Sequence, residues 1–419
     1  MKQNVAGERV TPVRTASLGR PEVRRLPTAF RLWVSGALVS QLGDAAMYFA
    51  LGWAATAHGG GAAGLVLSAV SIPRVVFLLL GGAVADRVGA RTVMIIGDAV
   101  MFVVASALVA YAALWGTPLA MLLVAGVVFG TVDAFYLPAA GSMPRRLVED
   151  GQLARAAAVR QTGTQLVTVV GGPLGGLLVG AAGFKAAAAT DAVTFAVAFT
   201  ALVAVRAARG IPQAESRRHV LREAFDGLRV AARTPGLRPL LVIVAGSAGF
   251  ILPISALLVP LIARQFDWGA SSAGLIVGAQ GVGAAATAVS VSRYGQAARP
   301  GFAACGGLLL AAAGEAVLAA AAGTAIAVCA GLVIGVGTGL FVSHIAPVLL
   351  TAAPAEYLSR VQAVFTLVQS VTLVFSNTLI GQLAHLLGPR RAILVCVLAT
   401  TASAIVGFGN SAVRSIQRL

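Results

Sequence analysis

Polar residues interrupt this chain at fairly even intervals, and long apolar stretches lie between them. A helix rising 1.5 Å per residue needs about 20 apolar residues to cross the hydrocarbon of a bilayer. Breaks at Gly, Pro and charge clusters predict six such helices in the first half, at residues 32–57, 62–85, 93–115, 119–142, 157–181 and 186–206. Six more are predicted at 239–263, 271–292, 301–321, 325–352, 361–384 and 392–409. One long break, 207–238, is rich in arginine and carries a short amphipathic stretch at 220–232. The pattern therefore divides into a polar tail (1–31), a six-helix bundle (32–206), a central loop (207–238), a second bundle (239–409) and a short tail (410–419). The first tail lacks the short apolar run of a signal peptide.

Twelve spans bring both tails to one side of a membrane. The breaks on the opposite side hold Lys185, Arg264, Arg390 and Arg391 as their basic residues, and the tails and remaining breaks hold nearly all the others. Basic residues concentrate on the cytoplasmic side. Both termini and the central loop are thus expected in the cytoplasm, with the chain in a bacterial inner membrane.

Composition narrows the class. Hydrophobic residues make up 58% of the 419 and charged residues 11%, too few charges to coat a soluble surface. The formal net charge is +16, which on a soluble protein would suggest nucleic acid. Here the excess sits in tails and loops, so it reads as a topology signal and no nucleic-acid partner is expected. The spans themselves are acidic: Arg74 stands against Asp44, Asp98, Asp133, Asp191 and Glu315. Cys305, Cys329 and Cys396 lie in apolar runs without a CxxC, so neither a metal site nor a disulfide framework is expected. No phosphate-binding G-x-x-x-x-G-K-[ST] loop and no nucleophile–base constellation is present. An enzyme, an ATP-driven pump and a bound cofactor are therefore not expected.

The chain also repeats itself. The pattern L-x-R-x-x-A-V occurs at 153–159 and again at 358–364, an offset of 205 residues. At the same offset Gly176, Leu178, Gly183 and Lys185 match Gly381, Leu383, Gly388 and Arg390. Two six-helix halves related by an axis along the membrane normal form a transporter plan, with substrate bound near the midplane between them.

The break after the second helix reads G-x-x-x-D-R-x-G-x-R, with Gly82, Asp86, Arg87, Gly89 and Arg91 in the fixed positions. Gly89 permits a tight turn and Gly82 a close helix contact. Asp86 is expected to meet a helix N-terminus, and the arginines to meet acidic groups or lipid phosphates. This pattern resembles the signature loop of the major facilitator superfamily, over residues 30–410. The resemblance implies an all-α membrane protein of twelve helices in two pseudo-two-fold halves, a monomer working by alternating access. It also makes this loop a cytoplasmic gate, with Asp133 as the acid that Arg87 or Arg91 would meet.

Gly172, Pro173, Gly175 and Gly176 in the fifth helix resemble the glycine–proline motif of the family's drug:proton antiporters, with one residue between the pairs where the family has two. The segments Gln41-Leu-Gly43-Asp44, Leu137-Pro138-Ala139, Met143-Pro144-Arg145 and 223–229 resemble the drug, macrolide and siderophore exporter branch. Many family antiporters carry an arginine within helix 4. Here none precedes Arg145, and Arg74 is the substitute.

Asp44 and Arg74 each lie about 12 residues into their helices, hence near mid-membrane. They are expected to pair, with Asp44 as proton carrier. Asp98 and Asp191, nearer helix ends, read as structural. Tyr48, Trp53, Phe135, Tyr136, Gln165, Phe250, Gln280, Phe341, His344, Gln369 and Asn377 are the cavity candidates, aromatic walls with a few polar groups. The expected function is export of an amphipathic small molecule, a drug or natural product, driven by the proton gradient. The alternatives are an uptake symporter or lipid transporter on the same fold, and a membrane sensor that transports nothing.

Overall fold

The computed structural model describes residues 25–205, 237–352 and 358–410. Most of both tails and the central loop, with its amphipathic stretch, lie outside the described residues. The described chain is helical throughout. The first half comprises α1 (Thr28–Thr56), α2 (Gly60–Val88), α3 (Ala90–Trp115), α4 (Leu119–Leu147), α5 (Leu153–Ala182) and α6 (Phe184–Ala204). In the second half, α7 runs through Leu237–Pro253, a π-helical turn at Ile254–Leu258, and Val259–Gln265. It is followed by α8 (Gly269–Tyr294), α9 (Pro300–Ala320), α10 (Thr324–Ala352), α11 (Leu358–Leu387) and α12 (Pro389–Gly409). Eleven stretches are long and apolar enough to cross a membrane. The remaining one, α1, has the length at 29 residues but carries Arg31, Gln41 and Asp44, and it packs between α5 and α6.

The repeat is visible in the helix limits. Those of α4, α5 and α6 recur 205 residues later in α10, α11 and α12, and those of α1 recur 209 later in α7. Gly183 and Gly388 turn the chain at equivalent points, with φ of 74° and 84°.

Small residues set the packing. An ideal Cβ on Gly130 of α4 would lie 2.0 Å from the carbonyl oxygen of Val70 on α2. One on Gly335 of α10 would lie 2.0 Å from that of Gln280 on α8. These helices touch backbone to backbone, as glycine stripes permit. The two halves meet in the same manner. Gly176 on α5 faces Gly274 on α8, and Gly381 on α11 faces Gly64 on α2. Both contacts lie in the part of the bundle remote from the chain ends. The beginning of α5, residues 153–170, is exposed or half-buried except at Ala156, whereas Gly171, Gly172, Gly175 and Gly176 are buried. The bundle is therefore closed at its remote end, whereas at the other α5 stays largely exposed, held to α1 by Leu38 on Gly163 and to α4 by Arg160 on the Ala140 carbonyl. Leu114, Trp115, Val124, Val242 and Leu398 are among the large apolar side chains exposed on the periphery, a surface suited to lipid rather than water.

Candidate functional site

The α2–α4 contact builds the site. With Gly130 against Val70, the next turn of each helix brings Arg74 to Asp133. The guanidinium of Arg74 donates to Asp133 Oδ2 in an ion pair. The same oxygen accepts from the hydroxyl of Tyr48 on α1 at 2.5 Å, and Arg74 also reaches that hydroxyl at 3.4 Å. Phe129 meets Tyr48 edge-on at 5.8 Å between centroids, and Phe77 stacks on Phe135 at 6.3 Å. One cation, one acid and one phenol thus form a compact polar node between three helices.

This geometry corrects the expected partners. Arg74 pairs with Asp133 rather than Asp44, because the glycine contact fixes the register of α2 against α4. Asp44 lies one turn before Tyr48 on α1, half-buried. The residue before it, Gly43, packs on Asp191 and Thr194 of α6. Asp133 is in turn not a partner of the loop arginines. Arg91 donates instead to the carbonyls of Leu202 and Val203, at 3.2 and 3.0 Å. There it caps the last turn of α6, whose exposed carbonyls attract a cation.

The loop keeps its glycine turn. Gly89 alone separates α2 from α3, with φ of 98°, a conformation that favours glycine. The close contact expected of Gly82 belongs to Gly81, where a Cβ would lie 2.1 Å from the Ala134 carbonyl oxygen. At Gly82 the nearest atom is 4.0 Å away. Asp86 and Arg87 are exposed. The α5 motif is two-sided: Gly171 and Gly175 receive Ala45, Ala46 and Phe49 of α1, whereas Gly172 and Gly176 receive Val277, Gly274 and Ala270 of α8. Pro173 packs on Gly278 of α8. The motif therefore packs α5 on α1 within its own half and on α8 across the halves.

The aromatic and amide candidates separate into groups. Tyr48 and Phe135 belong to the node, and Tyr136 packs on Gly97, beside Asp98. Phe250 and Gln369 are half-buried and Gln165 is exposed. Others are committed to packing. Gln280 accepts from Ser255, which the π turn of α7 presents. Phe341 is buried where α10 crosses α9. His344 accepts from the Ala297 amide at 3.2 Å and so holds the α8–α9 connection. Asn377 is buried in the α2–α11 contact. A peripheral groove of about 540 Å³ opens between α3 and α6, lined by residues such as Phe102, Val193 and Val197.

Two features escaped the sequence. Arg264, at the end of α7, donates to Thr56 Oγ1 at 2.8 Å and to the Trp53 carbonyl at 3.0 Å, and its guanidinium stands 4.7 Å from the Trp53 ring centre. It ties the second half to α1 at the remote end. The only signal was that Arg264 is the one basic residue in its break on the sparsely charged side. Asp191 is fully buried against α1, where Gly43, the residue before Asp44, leaves room for it.

A repeated twelve-helix bundle with an apolar periphery and buried charges near mid-depth defines a multi-pass membrane transporter. The chain belongs to the Major Facilitator Superfamily, whose family model matches residues 33–376. It is 27% identical over 238 residues to the multidrug efflux pump Tap of Mycolicibacterium fortuitum. That match spans 54% of this chain and 57% of the relative, so the chain covers little more than half of the relative's length. Solved structures share the fold. The nucleoside transporter NupG aligns at a TM-score of 0.68 with 14% identity, over 91% of this chain and 98% of its own. A D-xylose–proton symporter aligns at 0.68 with 12% identity, over 90% and 97%. A peptide transporter POT in complex with sulfate aligns at 0.69 with 14% identity, over 94% and 96%. Family and fold are those of transporters, not of enzymes.

Proposed function

We propose that this transporter exports an amphipathic small molecule in exchange for protons. The observation that carries the reading is the node itself, a cation within the bundle with two acids in its neighbourhood. Arg74 holds Asp133, and Asp44 lies one turn from the shared Tyr48. When Asp44 carries a proton, Arg74 rests on Asp133 alone. When Asp44 loses it, the new carboxylate draws Arg74 away, and α1 shifts relative to α2 and α4. A charge change in a weakly solvated interior is large enough to bias two packed arrangements. The likeness to a multidrug efflux pump supports the drug-exporter branch.

In this reading the protein is a monomer in the bacterial inner membrane, with both termini and the central loop cytoplasmic. The remote end is then the outer end, and the structure is inward-facing. Gly82, Asp86, Arg87, Gly89 and Arg91 form the cytoplasmic latch that engages when that end closes. No cofactor is needed, because the proton gradient supplies the energy.

The test uses the full chain in lipid vesicles with ethidium as the probe. An imposed pH gradient should drive ethidium export by the wild type, and Asp44→Asn should abolish it. Full pH-driven export by Asp44→Asn overturns the carrier role. Gradient-driven accumulation in the opposite direction overturns export in favour of uptake.

A further inference from the structure

A further buried acid stands outside the Arg74 node. Asp191 lies on the first third of α6, which packs against α1, α3 and α5. Its side chain is completely buried, and neither carboxylate oxygen has a hydrogen-bond partner among the described residues. An ideal Cβ on Gly43 would lie 2.8 Å from Asp191 Oδ1 and 2.0 Å from Thr194 Oγ1. The carboxyl therefore occupies the space that the missing side chain of Gly43 leaves, one residue along α1 from Asp44. Thr194 does not solvate it, because its hydroxyl donates to the main-chain oxygen of Asp191 at 2.8 Å.

The groups around Asp191 supply no counter-charge. On α1 the residue after Gly43 is Asp44; α3, which packs on α6, carries the buried Asp98; and from α4 comes Asp133, already bound to Arg74. On α5, Arg155 and Arg160 lie near the helix start, at the opposite end of the bundle from the start of α6. On α6 itself Lys185 is exposed nearly two turns away. A bare carboxylate in such surroundings is costly. Two adjacent carboxylates are costlier still, and the standard resolution is a shared proton.

We propose that Asp191 and Asp44 form a carboxyl pair that holds one proton between α6 and α1, and that this pair, rather than Asp44 alone, is the proton-binding site. The inference deepens the exchange reading given above and rests on it for its role in transport. It also gives Gly43 a reason: any larger residue would drive α6 from α1 and separate the pair.

The experiment is modification of the full chain in liposomes by dicyclohexylcarbodiimide, which reacts with protonated carboxyls in apolar surroundings, read by peptide-resolved mass spectrometry near neutral pH. Asp191 should be modified in the wild type. Asp44→Asn leaves Asp191 untouched but removes the neighbouring negative charge, so modification of Asp191 should fall by about threefold or more. Glu315, buried on α9 beside Thr400, should react equally in both proteins and serves as the folding control. Unreactive Asp191 in the wild type, or equal reaction in wild type and Asp44→Asn, overturns the pair. Wild-type vesicles that show the paired reactivity but no pH-driven ethidium export overturn the exchange reading and leave the pair standing.

Discussion

At the scale of the residue, the Arg74–Asp133 pair is the most consequential contact. Its side chains are 30% and 17% exposed, so water offsets little of the loss when one partner is removed. Asp133→Asn should destabilise the protein by about 2 kcal/mol, less than a fully dry pair would lose. Asp133→Asn combined with Arg74→Gln, which removes both charges, should recover most of that stability without recovering pH-driven export. Thermal unfolding in detergent beside a vesicle assay separates these outcomes, and equal stability of the single and double variants would show that the pair is not coupled. Asp44, Arg74 and Asp133 were all legible in the sequence as ionisable groups inside apolar spans. Which of them pair was not. Position along a helix gives depth, whereas pairing depends on which faces meet. That is decided by Gly130 against Val70, a contact between segments 60 residues apart.

At the scale of the element, glycines act as spacers whose role depends on the helix opposite. Gly126 and Gly130 stand one turn apart on α4 and both face α2, a partner that spacing along the chain does not name. The α5 motif was readable as tight packing, whereas its division between α1 and α8 follows only from the fold. Helix limits were read to within a few residues, and the helices run longer than the apolar windows. The extra turns, such as 143–147 of α4, carry polar or charged residues that helical geometry accommodates at the membrane interface. The contrast among glycines gives a direct prediction. Gly130→Ala places a Cβ 2.0 Å from a backbone oxygen and should cost about 1–3 kcal/mol, lowering the unfolding temperature. Gly306→Ala on α9 meets nothing within 4 Å and should be neutral or slightly stabilising. Equal effects from the two would show that the α2–α4 approach is looser than described.

At the scale of the whole molecule, the two halves repeat each other closely and their contacts are nearly symmetric: Gly176 on Gly274, and Gly381 on Gly64. Arg264 breaks that symmetry, since its counterpart 209 residues earlier on α1 is Ala55. The closed end therefore has a charged clamp laid over two glycine seams. Hydrogen bonds to Thr56 and Trp53 and the stacking on Trp53 together are worth about 1–2 kcal/mol. The cost falls on the closed arrangement alone, because opening that end separates α7 from α1. Arg264→Ala should thus shift the balance toward the open arrangement by roughly 5–30-fold. Ser68 supplies the reporter. It is buried in the α2–α11 seam, bonded to Thr378 at 2.8 Å and to the Val374 carbonyl at 3.0 Å. A thiol there can react only when the seam parts. With Cys329, the exposed native cysteine, replaced by alanine, Ser68→Cys should react slowly with a maleimide, and Arg264→Ala should raise the rate by the factor given. Arg264→Lys should fall between them, since an ammonium keeps the charge over the ring but lacks the planar fork that serves two acceptors. An unchanged rate in Arg264→Ala would mean that the glycine seams alone hold the end closed, and that Arg264 merely covers it.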